Sequence, residues 1–252
     1  MKNVIKLIVI FSVFFISCSE DDFSVNNSNY SFKEQVGFSA HDILSNELFT
    51  DIFVEILYVE GLEPSDQVLN NFKDFILERT FKNTVTIETR LIDIPLESSY
   101  TTTKIRSIED ENRTKFSSEN ELVIFMLFIN GTSSKNEEDS VILGTSYRNT
   151  SFVIFKETIQ SFSNNFFGTK KVVLESTVIC HEFSHMLGLV NLGTPMVEDH
   201  QDIENGAHCI TENCLLYHKI ERMNTTTNFF SRDQIPELDA FCLQDLRANG
   251  GR

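Results

Sequence analysis

The sequence predicts an α/β (α+β) domain: a twisted mixed sheet of about five strands with helices packed on it and a loop-rich C-terminal part. Three observations predict it. Over residues 51–156, short β-branched and aromatic runs alternate with stretches whose apolar residues recur at helical spacing. That order gives a sheet covered by helices. The run Glu121 to Ile129 is apolar after its first residue, as in a central strand covered on both faces. Lys170 to Leu189 is a long, largely apolar stretch that reads as one buried helix.

The elements follow in order. Asp51 to Val59 is a strand ending at Glu60-Gly61. Pro64-Ser65-Asp66 then starts a helix with Val68, Leu69, Phe72, Phe75 and Ile76 on one face. Thr84 to Ile92 alternates apolar and polar residues as a second strand. A less apolar helix is expected near Thr101–Lys115, before the central strand. Val141–Tyr147 and Ser151–Lys156 are two further strands, joined by Arg148-Asn149-Thr150 as a hairpin. After the long helix come loops and one helix near Pro236–Arg247. No internal repeat is apparent, and a chain of 252 residues with 23 phenylalanines can fill one good core.

The N-terminus points to export. Lys2 and Lys6 precede the apolar run Leu7–Ile16, in which only Ser12 is polar, the pattern of a secretory signal peptide. A bilayer takes about 20 apolar residues, so the run is too short to span one. It ends at Phe15-Ile16-Ser17-Cys18, which resembles a bacterial lipoprotein cleavage site with Cys18 lipidated. Ser19-Glu20-Asp21-Asp22 then resembles the surface-export signal of Bacteroidetes-type lipoproteins. These readings divide the chain into a signal peptide (1–17), a polar tether and N-terminal extension (18–48) and one folded domain (49–252). They place it as an outer-membrane lipoprotein facing the cell exterior, with a periplasm-facing orientation as the alternative. Ordinary secretion with an incidental cysteine is the competing reading. Removing residues 1–17 takes two lysines and no acids, so the formal charge moves from −16 to −18. So acidic a surface excludes nucleic acid and anionic membrane as partners, leaving the lipid as the sole membrane contact of an expected monomer.

Residues 181–188 read His181-Glu182-Phe183-Ser184-His185-Met186-Leu187-Gly188. On a helix, positions i and i+4 share a face, so His181 and His185 can hold one Zn²⁺ at about 2.0–2.1 Å each. Glu182, beside the first ligand, can take a proton from a water activated by the ion. Gly188 ends the motif where the helix needs a cap or a sharp turn. Two ligands and a general base in one octapeptide are the signature of a zinc-dependent peptidase.

The order of two βα units and an antiparallel strand before this helix resembles the N-terminal half of a metzincin catalytic domain. Metzincins read HExxHxxGxxH, and this chain matches through Gly188 but has Asn191 at the third-ligand position. Further on, His208-Cys209, four residues, then Cys214-Leu215-Leu216-Tyr217 resembles the archaemetzincin pattern, in which the third histidine precedes that cysteine. The resemblance implies His208 as third ligand after an insertion between Asn191 and Gly206, with His200 and Asn191 as alternatives. It implies one catalytic Zn²⁺, an open position for water, and peptide or protein substrates. Leu216 falls where the family has the methionine of its Met-turn, and leucine can fill that volume. Tyr217 is a candidate oxyanion stabiliser, with ordinary packing as the other reading.

With Cys18 assigned to lipid, four of the five cysteines remain, and an oxidising compartment favours disulfides. Cys209 and Cys214 are close enough in sequence to bridge, leaving Cys180 and Cys242 for each other. Metal ligation by Cys209 and Cys214 is the competing reading. Because the later cysteines of the archaemetzincin structural zinc site are missing, the disulfide is the expectation. Two rival functions are an inactive zincin-like surface protein acting as a binding module, which has no need of Glu182, and a gluzincin-type peptidase with Glu237 as third ligand.

Overall fold

The computed structural model describes residues 30–163, 169–223 and 233–252. Cys18 and the expected signal peptide (1–17) lie outside them. A short helix α1 (Ala40–Leu44) leads into β1 (Asp51–Tyr58), α2 (Asp66–Arg79) and β2 (Thr84–Leu91). Ser65 caps α2 by accepting from the Val68 N–H at 3.5 Å. After β3 (Ser99–Tyr100), α3 (Thr102–Asn112) is capped in the same way by Thr101, and then comes β4 (Glu121–Ile129). β5 (Thr132–Ser133), β6 (Val141–Ile142), β7 (Gly144–Arg148) and β8 (Ser151–Phe155) follow. α4 (Lys156–Ser163), α5 (Thr169–Met186), β9 (Arg222–Met223) and α6 (Ala240–Ala248) complete the order.

The main sheet has five strands in the order β2-β1-β4-β8-β7, parallel except for β7, which runs antiparallel to β8 at the edge. This is the expected mixed sheet. β4 lies between β1 and β8 and is buried along nearly its whole length, as its continuous apolar run requires. One core cluster joins Phe72 and Phe75 of α2 to Val178 and Phe183 of α5 across Ile52, Ile124 and Phe152. The other packs α3 residues Ile105 and Ile108 against Leu57, Leu127 and Phe155. Each such buried side chain stabilises the fold by about 1.5–3 kcal/mol. Helices therefore cover both faces, with α5 and its histidines on one of them. Among the described residues, no helix is long and apolar enough to cross a membrane.

Three boundaries differ from expectation. The strand expected over Val141–Tyr147 is interrupted: Val141 and Ile142 pair with Met223 and Arg222, and only from Gly144 does the chain join the main sheet. The C-terminal helix starts at Ala240, because Asp239 caps it by accepting from the Cys242 N–H at 2.9 Å. The domain also begins well before residue 49. Ile43 and Leu44 are core residues, and Asn149 Nδ2 donates to Ser31 O and Ser39 Oγ, each at 2.8 Å. Phe32 lies under the Arg113 guanidinium, 4.4 Å from its carbon. The polar composition of this segment conceals that Ala40, Ile43 and Leu44 are buried.

Candidate active site

α5 carries His181 and His185 one turn apart, both buried, with their Nε2 atoms 3.1 Å from each other. Gly188 sits at φ +73° just beyond the helix, and a Cβ there would lie 2.6 Å from Thr194 N. The turn it allows is fixed when Thr194 N donates to Gly188 O and Thr194 Oγ1 to Leu187 O. The following loop brings His208 back, so that the three imidazole centroids lie 4.7–5.3 Å apart. His181 Nδ1 donates to Leu215 O at 2.7 Å and His208 Nδ1 to Asn205 O at 2.8 Å. Each bond leaves the lone pair on Nε2, which faces the common centre.

These residues fit a zinc ion. His208 Nε2 is buried and has no hydrogen-bond partner among the described residues. Burial, followed by the nearby His208, holds the His181 pKa down at about 4. His185 is held well below its usual range, again by burial first and then by His181. Both shifts favour the neutral ring, the form a metal ligand takes. One ligand atom from each of His181, His185, His208 and Glu221 lies within 4.8 Å of all the others.

Glu182 is turned toward the edge strand. Its Oε2 accepts from the Ser146 N–H at 2.7 Å, and Ser146 Oγ donates to the Glu182 carbonyl at 2.6 Å. Its Oε1 is buried without a hydrogen-bond partner. Burial and then the Glu221 charge push its carboxyl well above the usual range, against the Ser146 hydrogen bonds. A divalent cation at the histidines would favour the ionised form and reverse that push. A cavity of about 230 Å³ opens here, lined by Val36, Ser146, Glu182, His185, His208 and Glu221 among others. It shares Val36, Thr145, Ser146 and Leu192 with a second cavity of about 470 Å³, so the cleft continues along β7.

Gly144, at the start of β7, lies close against Glu182. A Cβ there would meet Glu182 Cγ at 2.7 Å and Oε1 at 2.9 Å. Gly144→Ala should displace the carboxylate while leaving all three imidazoles untouched. Since a displacement of about 1 Å can cost about 100-fold in rate, peptide turnover should fall by about that factor at unchanged zinc content. Unaltered turnover would show that the side chain has room to move.

The other expected residues lie elsewhere. Asn191, at φ +70°, is exposed, with Nδ2 donating to Gln201 Oε1 at 3.1 Å. It lines the second cavity and not the one at the histidines. His200 is buried against α6, with Nε2 2.8 Å from Asp245 Oδ2, and belongs to a different cluster. Glu237 pairs with Arg79, so it is not the third ligand. Tyr217 packs its ring on His218 at 4.5 Å with Lys219 Nζ above it, and is absent from the lining of both cavities. Leu216 is fully buried in the core, and the Leu215 carbonyl orients His181.

The expected disulfides are not formed: Cys180, Cys209, Cys214 and Cys242 are all buried free thiols. Cys180 lies inside α5 with burial raising its pKa. Cys242 arrives on α6 with its sulfur 3.6 Å from that of Cys214, and Cys209 Sγ lies 3.3 Å from Asp239 Oδ2. Ligand atoms of His200, Cys209, Asp239 and Cys242 lie within 4.8 Å of one another. His200 Nδ1 is buried without a hydrogen bond. The Cys209 pKa is lowered, first by hydrogen bonds with Cys214 and Cys242. This second donor set of sulfur, imidazole and carboxylate also suits zinc. The signal for it was present as Asp239 three residues before Cys242 at a helix start, a spacing that a search for paired cysteines passes over. Ser146, Glu221 and Val36 carried no sequence signal, since each reaches the site only through strand pairing or chain return.

No family model matches the sequence, and no curated protein does. Among solved structures, the chain is similar to archaemetzincin from Methanopyrus kandleri, with TM-score 0.51 and 13% identity over 79% of this chain and 96% of that one. The fold is archaemetzincin-like. A zinc-dependent peptidase from Methanocorpusculum labreanum also aligns, with TM-score 0.49 and 12% identity over 77% of this chain and 99% of that one.

Proposed function

We propose that the chain is a zinc-dependent peptidase. The observation that supports this most is the convergence of three buried imidazoles on one centre, beside a cavity that His185 and His208 line together with Glu182, whose Oε1 has no hydrogen-bond partner. His181, His185 and His208 would hold the ion. Once bound, Zn²⁺ lowers the pKa of water to about 7 and polarises a carbonyl. The chain's residues do the rest. Glu182 accepts the proton of the attacking water and returns it to the leaving amine. Ser146 holds the carboxylate by Oε2, which leaves Oε1 without a hydrogen-bond partner. β7, at the sheet edge, offers backbone groups with which an extended peptide can pair across the cleft. His200, Cys209, Asp239 and Cys242 would hold a second ion, whose role is to pin the loop carrying His208 to α6.

Peptide hydrolysis is tested by incubating residues 30–252 with a diverse peptide mixture and identifying products by mass spectrometry, with chelator and with zinc restored. Cleavage that chelator removes and zinc restores is expected. Zinc-loaded protein that cuts nothing would favour the binding-module reading.

The lipoprotein placement is part of the same proposal, supported by Lys2, Lys6, the apolar run and Ser17-Cys18. In a diderm bacterial host, labelled fatty acid should enter the wild-type chain and not Cys18→Ala. Incorporation into both would remove the assignment.

A further inference from the structure

We infer that Glu221 is a fourth protein donor to the catalytic ion, so that the chain itself closes the centre at rest and substrate or water must take the carboxylate's place. This rests on the peptidase reading above. Glu221 Oε2 lies 3.0 Å from His208 Nε2, yet that nitrogen makes no hydrogen bond. Two ligand atoms of one cation also stand this close to each other with no hydrogen bond between them. The carboxylate oxygen and the three imidazole nitrogens all lie within 4.8 Å of one another. Three protein ligands leave zinc an open position; a fourth completes a tetrahedron of the kind found in structural sites.

The position of Glu221 is built, not incidental. Its carbonyl accepts from the Leu143 N–H at 3.0 Å, and the next two residues pair with β6. The same short stretch, Leu143 to Ser146, thus fixes both carboxylates of the cavity: Glu221 through Leu143 and Glu182 through Ser146. Glu221 also lines the cavity, where an incoming carbonyl would displace it.

The test uses the full mature chain loaded with Co²⁺, comparing wild type with Glu221→Gln and Glu221→Ala. Affinity is read by competition with a chelator, and coordination by the visible absorption in the difference spectrum. The second centre is common to all three proteins and cancels. Loss of a ligand should weaken Co²⁺ binding by at least about tenfold, change the visible band and tighten binding of acetohydroxamate, which no longer competes with the carboxylate. The isosteric Gln variant guards against a folding defect in the Ala variant. Identical affinity, spectrum and hydroxamate binding in both variants would overturn the inference while leaving the three-histidine centre intact. Wild-type protein that takes up no Co²⁺ at the histidines would overturn the peptidase reading as well.

Discussion

Glu182→Gln should keep its zinc and lose peptide turnover by about 10²–10⁴ or more. The amide preserves the shape of the side chain and can still accept from the Ser146 N–H through its oxygen. It cannot take up a proton at the position of the partnerless Oε1. Metal content should not change, because the proposed ligands are His181, His185 and His208, and the Nδ1 anchors of His181 and His208 are the Leu215 and Asn205 carbonyls, not Glu182. Zinc content and single-turnover cleavage measured on the same preparation check both halves. Full activity would mean that the proton goes elsewhere, and Glu221, across the same cavity, would be the first alternative.

Removing a sulfur from the second cluster should act on the fold before the chemistry. Cys209→Ser takes away the sulfur nearest to Asp239 and next in sequence to His208. An ion present at about a thousandfold above its dissociation constant stabilises the folded state by about 4 kcal/mol. For a domain of this size, 1 kcal/mol moves Tm by about 2–4 °C, so the midpoint should fall by roughly 8–16 °C, and one equivalent of metal should be lost. The wild-type chain should fall by a similar amount when treated with chelator, and the variant by much less. If all four thiols instead react as disulfides in non-reducing peptide maps, the two-centre account fails here.

Much of the architecture was legible because burial on both faces leaves its mark on sequence. The apolar run of β4, the one-sided apolar spacing of α2 and the alternation of β2 each correspond to an observed element. The first half of the site was legible for a related reason. His181, Glu182 and His185 are local on one helix, so spacing alone gives their geometry. What was missed depends on chain return. The cysteines were read as pairs by proximity in sequence, whereas α6 brings Cys242 to Cys214 and not to Cys180. His200 offers the right ligand chemistry for either centre, and only the Asp245 contact shows to which it belongs. The stretch from Tyr30 to Leu48 reads as a tether by composition, yet Val36 forms part of the cavity wall. Isolated apolar residues in a polar segment show no periodicity from which their burial could be inferred.

Zinc stoichiometry after dialysis against a weak chelator, compared between His208→Ala and His200→Ala, tests the central assignment most directly. His208→Ala should lose the ion of the active site together with turnover, while the sulfur-rich centre keeps its own. His200→Ala should keep the catalytic ion and cleave peptides at a folding-limited level. Retention of the catalytic ion in His208→Ala, with its loss in His200→Ala, would contradict the three-histidine centre.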